Sequence, residues 1–144
     1  MLKNFFFKSS DSSVQLQWLD IAVRVYLFKV FFMSGLTKIQ SWDTTINLFY
    51  DYNVPLLPAE TAAALATAGE LILPVLLLLG LFSRPAAIAL FILNAVALYS
   101  YSIQDYANTI GITDHVLWGF MILVYVFYGA SRFSLDYLIN RNNE

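Results

Sequence analysis

The stretch from Gln17 to Lys38, QWLDIAVRVYLFKVFFMSGLTK, is long and apolar enough to cross a bilayer, yet it carries Asp20, Arg24 and Lys29 inside it. A charged group near the bilayer centre costs about 3 kcal/mol on insertion scales and is usually turned inward and paired. On a helix, with about 100° between residues, Asp20, Arg24, Phe28, Phe31, Gly35 and Lys38 fall on one stripe, while Lys29 points elsewhere. A chain with such a stripe has to cover it with other helices. Asp20 and Arg24, one turn apart, can form an intrahelical ion pair near the cytoplasmic surface.

Three further segments read as spans. The second, from about 59 to 82, holds Glu70 near its middle and Pro74 one turn later. Hydrocarbon leaves a mid-membrane carboxyl two options: to be neutral or to be paired with a cation. Pro74 frees the carbonyl of Glu70, which predicts a kink there. The turn GLFSRP, with Ser83 as helix cap and Pro85 at the first helical position, leads into the third span, about 85–102. Asn94 at its mid-depth is expected to bond another helix. Tyr99, Tyr101 and Tyr106 at its outer end read as a headgroup-level belt. The fourth span, about 114–130, starts with Asp114 at the positive end of the helix dipole. His115 and Trp118 follow, and Gly119 and Gly129 are suited to close packing. A lone interfacial histidine is ordinarily solvated.

Between the first two spans, residues 39–58 are too polar to cross. Asp43 can cap a helix over about 43–52 in which Ile46, Phe49 and Tyr50 recur at helical spacing, as suits an element lying in the interface. The amino-terminal MLKNFFFKSSDSS has only a three-residue apolar run, too short for a signal-peptide core, and is expected to be retained.

The whole therefore reads as all-α: residues 1–144 form one membrane domain, a four-helix up-down bundle with a short interfacial helix between spans one and two. Composition agrees, at 59% hydrophobic and 12% charged, far from the soluble range. Four spans put Lys3, Lys8, Arg84, Arg132 and Arg141 on one side and only Lys38 near the other, so both termini are expected in the cytoplasm. The net charge of −2 gives no reason to expect nucleic acid. With no cysteine, thiol redox chemistry, thiolate metal sites and iron–sulfur clusters are excluded. With one histidine, so are a bis-histidine haem and a multi-histidine metal site. Any electrons handled must reside on a bound small molecule or a partner.

Three runs together resemble the DoxX family of small four-helix bacterial membrane proteins: RVYLFKVFFMSGLTKI at 24–39, GELILPVLLLLGLFSRPAA at 69–87 and GASRFSLDYLI at 129–139. The first matches the family's arginine, glycine and lysine with Arg24, Gly35 and Lys38. The second matches its glutamate and loop arginine with Glu70 and Arg84. The third matches the closing G-x-x-R-x-S-L-D pattern with Gly129, Arg132, Ser134, Leu135 and Asp136. Lys29 is an extra cation outside that pattern. The loop WDTTINLFYDYNVPLLP is similar to that of DoxX proteins encoded beside metal-stress peptide-maturation enzymes. The resemblance implies a place in the bacterial inner membrane and in oxidoreductase assemblies, relatives of the family including a subunit of thiosulfate:quinone oxidoreductase.

Three functions follow as expectations. In the first, the chain is a membrane subunit of an oxidoreductase complex that interacts with quinone. That chemistry needs an apolar slot, donors at the carbonyls and a proton relay. Arg24, Lys38 and His115 can donate, Glu70 can relay, and Phe28, Phe31 and Trp118 can wall the ring, with Asp20 and Asn94 supporting. Arg24 and Lys38 lie too far apart along the helix to line one ring-sized pocket. In the second, the chain is a non-catalytic scaffold linked to metal or redox stress, docking a protein partner, with an Arg24–Glu70 ion pair setting helix register. In the third, a homo-oligomer carries a small solute or ion along the polar seam.

Overall fold

The structure is a computed structural model and describes residues 14–52, 54–104 and 109–141. The amino-terminal stretch 1–13 and Tyr106, both read above, lie outside the described residues, as does the side chain of Tyr101.

Among the described residues the regular structure is six helices: α1 (Val14–Gln40), α2 (Trp42–Tyr52), α3 (Ala59–Leu79), α4 (Ser83–Gln104), α5 (Thr109–Tyr128) and α6 (Leu135–Arg141). The helix α3, the segment Ser83–Ser100 of α4 and the helix α5 are each long and apolar enough to cross a membrane. The 27 residues of α1 give it the length as well, but it carries Asp20, Arg24, Lys29 and Lys38. Packing pairs α1 with α3, α3 with α4 and α4 with α5. Along the first and last of these pairs, residue numbers rise on one helix as they fall on the other: Arg24 meets Leu78 and Lys38 meets Glu70, Asn94 meets His115 and Arg84 meets Phe127. In each of these two pairs the helices are therefore antiparallel.

Leu27, Phe31, Leu77, Ala87, Leu90, Ile122 and Tyr125 make one core from α1, α3, α4 and α5. In lipid such a core gains little from leaving the solvent, so close packing and interhelical hydrogen bonds hold it. The stripe predicted on α1 points there: Arg24, Phe31 and Gly35 are buried, and Lys29 lies on the exposed side.

Helix boundaries differ from expectation where backbone chemistry overrides hydropathy. The third helix stops at Leu79, because Gly80 adopts φ 62 and the Gly80 and Leu81 N–H groups bond back to Leu77 and Leu76, a Schellman ending. It runs unbroken as helix through Pro74. Ser83 is the first residue of α4 rather than its side-chain cap, and α5 starts at Thr109, ahead of Asp114. Gly129, at φ 72, follows the end of α5 instead of lying within the fourth span.

At one end of the molecule α2 packs on α3, with Phe49 against Ala62 and Ala63. Thr45 Oγ1 donates to the Lys38 carbonyl at 2.8 Å, which joins α2 to the end of α1. The Tyr50 hydroxyl donates to Glu60, and this bond and the carboxylate charge push the phenol above its ordinary value.

Candidate functional site

Two polar centres lie about 20 Å apart along α1, judged from its rise of ~1.5 Å per residue between Arg24 and Lys38. At the α6 end, Arg24 is 2% exposed. Its Nη2 donates to Asp20 Oδ2 at 2.7 Å and to the Phe133 carbonyl at 2.8 Å, and its Nη1 donates to the Leu78 carbonyl at 2.9 Å. Asp20 Oδ2 also accepts from Ser131 Oγ at 2.6 Å, and the Asp20 carbonyl accepts from the Tyr125 hydroxyl at 3.0 Å. The Asp20–Arg24 pair thus forms as expected and in addition ties α1 to α3, α5 and the segment before α6.

The same end contains a cap supplied from far along the chain. Asp136 accepts from the Phe82 and Ser83 N–H groups, each at 2.8 Å, and from Ser83 Oγ at 2.6 Å. It satisfies the first donors of α4 and holds Phe82 at φ 48, a backbone conformation that otherwise costs about 1 kcal/mol. Arg84 Nη2 donates to the Phe127 carbonyl at 2.8 Å, at the negative end of α5.

The second centre is Lys38 with Glu70. The ammonium donates to Glu70 Oε1 at 2.9 Å, to Oε2 at 2.7 Å and to Ser34 Oγ at 2.8 Å. The two side chains are 15% and 10% exposed. Glu70 therefore meets Lys38 and not Arg24, as the register idea had it. The cause is the antiparallel α1–α3 packing, which sets Gly35 against Glu70 and Leu71 and leaves Arg24 beside Leu78.

The pair opens into a cavity of about 420 Å³. It exists because facing stripes of α3 and α4 are small: Ala62, Ala66 and Gly69 on one, Ala89, Ala97 and Ser100 on the other. Leu65, Leu73, Ile92, Leu93 and Val96 complete its apolar wall, and Phe49 and Tyr52 of α2 close one end. From Ala62 to Leu73 the slot is roughly 17 Å tall at 1.5 Å per residue. Leu65, Ile92 and Val96 are also exposed on the outer surface, so the slot has a lateral, apolar mouth between α3 and α4.

His115 lines the same cavity and is half-buried, not solvated. Its Nδ1 bonds Asn94 Oδ1 at 2.9 Å, and Asn94 Nδ2 donates to the His115 carbonyl at 2.8 Å. This is the interhelical bond expected of Asn94. Trp118 packs edge-on against His115 at 4.9 Å and against Phe31 at 5.8 Å. Phe28 stacks on Phe32 at 4.8 Å. Phe28, Phe31 and Trp118 do not line the cavity. Of the residues named from sequence, the structure gathers Lys38, Glu70 and His115 and places Asp20 and Arg24 in the separate clasp. Sequence reasoning missed Ser34, Ser100, Phe49 and Tyr52. The usable signal was the 4, 3 spacing of Ala62, Ala66 and Gly69, a groove of small residues leading to Glu70.

The family profile described as DoxX matches residues 19–103. The chain belongs to the DoxX family. The match covers both the Asp20–Arg24 pair and the Lys38–Glu70 cavity walls on α1, α3 and α4. An uncharacterized protein of Haemophilus influenzae is 33% identical over 125 residues, covering 84% of this chain and 83% of that protein. No solved structure matches significantly.

Proposed function

We propose that this DoxX protein is a membrane subunit of an oxidoreductase assembly that binds an isoprenoid quinone in the α3–α4 slot. The observation that carries this reading is the slot itself: an apolar cavity open sideways between two helices and ending on a buried Lys38–Glu70 pair. A lipophilic ring can enter from the bilayer without crossing a polar surface. Lys38 Nζ is the donor for a carbonyl oxygen, exchanging one of its bonds to Glu70 or Ser34 for it, and Glu70 holds or passes a proton beside it, while the His115 ring, whose Nδ1–H goes to Asn94 Oδ1, presents Nε2 as an acceptor for a reduced ring's hydroxyl. A bound quinone would supply the acceptor for two electrons and two protons, the electrons coming from a redox centre on a protein partner. Arg24 and Asp20 fix the fold at the other end. In this reading α1 also crosses, giving four up-down spans in the bacterial inner membrane with both termini in the cytoplasm.

The test is binding to the purified protein in lipid nanodiscs. Decylubiquinone should raise the unfolding midpoint by several degrees, and organic extraction of the native preparation should release quinone. Neither effect in the intact protein would rule the reading out. A scaffold role draws on one specific observation, that the charges of both centres are met by protein groups. It predicts that Lys38 and Glu70 matter for folding alone.

A further inference from the structure

Ser100 is the feature that the proposed site leaves unused. It is 3% exposed, it lines the cavity, and its Oγ has no hydrogen-bond partner among the described residues. A helical serine normally returns its hydroxyl to a carbonyl in the preceding turn, as Thr67 does to Ala63 and Thr113 to Thr109. An orphaned buried hydroxyl costs about 1–3 kcal/mol unless something bonds it.

Its position along the slot decides what that something is. Leu93 packs against Gly69, next to Glu70, which sets the level of the ion pair on α4. Ser100 lies seven residues further along the same helix, roughly 10 Å at 1.5 Å per residue. The cavity therefore has a donor at each of two levels, with the apolar wall of Val96 and Ala97 between them. Two oxygens on opposite corners of a six-membered ring, each accepting a bond of ~2.8 Å, need donors about 8–11 Å apart, the upper figure when both bonds run along the C=O axes. A head group with one polar end satisfies only one level.

The geometry points to Ser100 Oγ as a second polar subsite, which takes the far oxygen of a 1,4-dioxygenated ring whose near oxygen faces Lys38. This rests on the quinone reading of the slot and adds to it a ligand class, two-ended rings over single-ended amphiphiles, and a residue that selects it.

The experiment compares decylubiquinone with 4-decylphenol, which keeps the chain length but has one oxygen. Dissociation constants are measured in nanodiscs for the intact protein, Ser100→Ala and Ser100→Thr. Ser100→Ala should bind decylubiquinone about 5-fold more weakly, bind the phenol within twofold of the intact protein, and be rescued by the hydroxyl of Ser100→Thr. Unchanged quinone binding in Ser100→Ala overturns the subsite and leaves the quinone reading standing. Equal losses for both probes overturn it too, because the side chain then only shapes the wall. Absence of quinone binding by the intact protein overturns both. If Ser100→Ala does not fold, Ser100→Cys, with its weak donor, carries the same comparison.

Discussion

Lys38 and Glu70, 32 positions apart in the chain, close a two-pronged ion pair at the point where Gly35 lets α1 approach Glu70 and Leu71. A Cβ on Gly35 would sit 2.9 Å from the Leu71 side chain and 3.2 Å from that of Glu70, so the glycine and the pair are one arrangement. Glu70→Gln leaves the ammonium facing a neutral amide in a largely dry site and should lower stability by about 3 kcal/mol. The double variant Lys38→Met with Glu70→Leu should recover most of that loss. Denaturant unfolding in detergent measures both. If the double variant folds and still binds quinone as the intact protein does, the pair has no part in binding and the scaffold role gains.

Gly80→Ala should cost at least about 2 kcal/mol, because two penalties coincide. Residue 80 has φ 62, and a Cβ there would strike the Ser134 side chain and come to 3.0 Å from Arg24 Nη1. A lowered thermal midpoint, with no change in helix content by circular dichroism, is the expected result.

Much of this arrangement is legible in the letters of the sequence, and the legible part has a common cause. Periodicity on α1 separates buried Arg24 from exposed Lys29, and composition marks α3, α4 and α5 as membrane-length helices, because lipid penalises misplaced charge more strictly than water penalises misplaced leucine. Asn94 finds another helix for the same reason. What does not show is pairing across long separations. Arg24, Lys38 and Glu70 are all visible, but which cation Glu70 meets depends on the stagger between α1 and α3, and that is set by Gly35. Ser83 looks like its own helix cap, since nothing local announces that Asp136 will do the work. His115 looks solvated because its partner Asn94 lies on a different helix. Cavities are harder still: they are made by what Ala62, Ala66 and Gly69 lack.

Asp136→Ala removes three hydrogen bonds from the start of α4 and should destabilise by about 2 kcal/mol. The loss should be local first. Limited proteolysis should cut between residues 130 and 136 sooner than in the intact protein, with α1 to α5 still resistant. Asp136→Asn keeps one acceptor and should fall between the two.

Reporter fusions test the proposed topology. Green fluorescent protein at either end should fluoresce in cells, and alkaline phosphatase inserted between residues 52 and 58 should be active. Opposite readings at the two ends would mean that α1 does not cross.

The Asp136 cap has a consequence for biosynthesis. During translation α1, α3 and α4 are made well before the stretch 131–136. Until then Arg24 lacks the Phe133 carbonyl, Asp20 lacks Ser131, and the first amides of α4 have no carboxylate to meet. The stretch 131–136 acts as a keystone, and a chain stopped short of it would leave helices whose shared end is still unlocked.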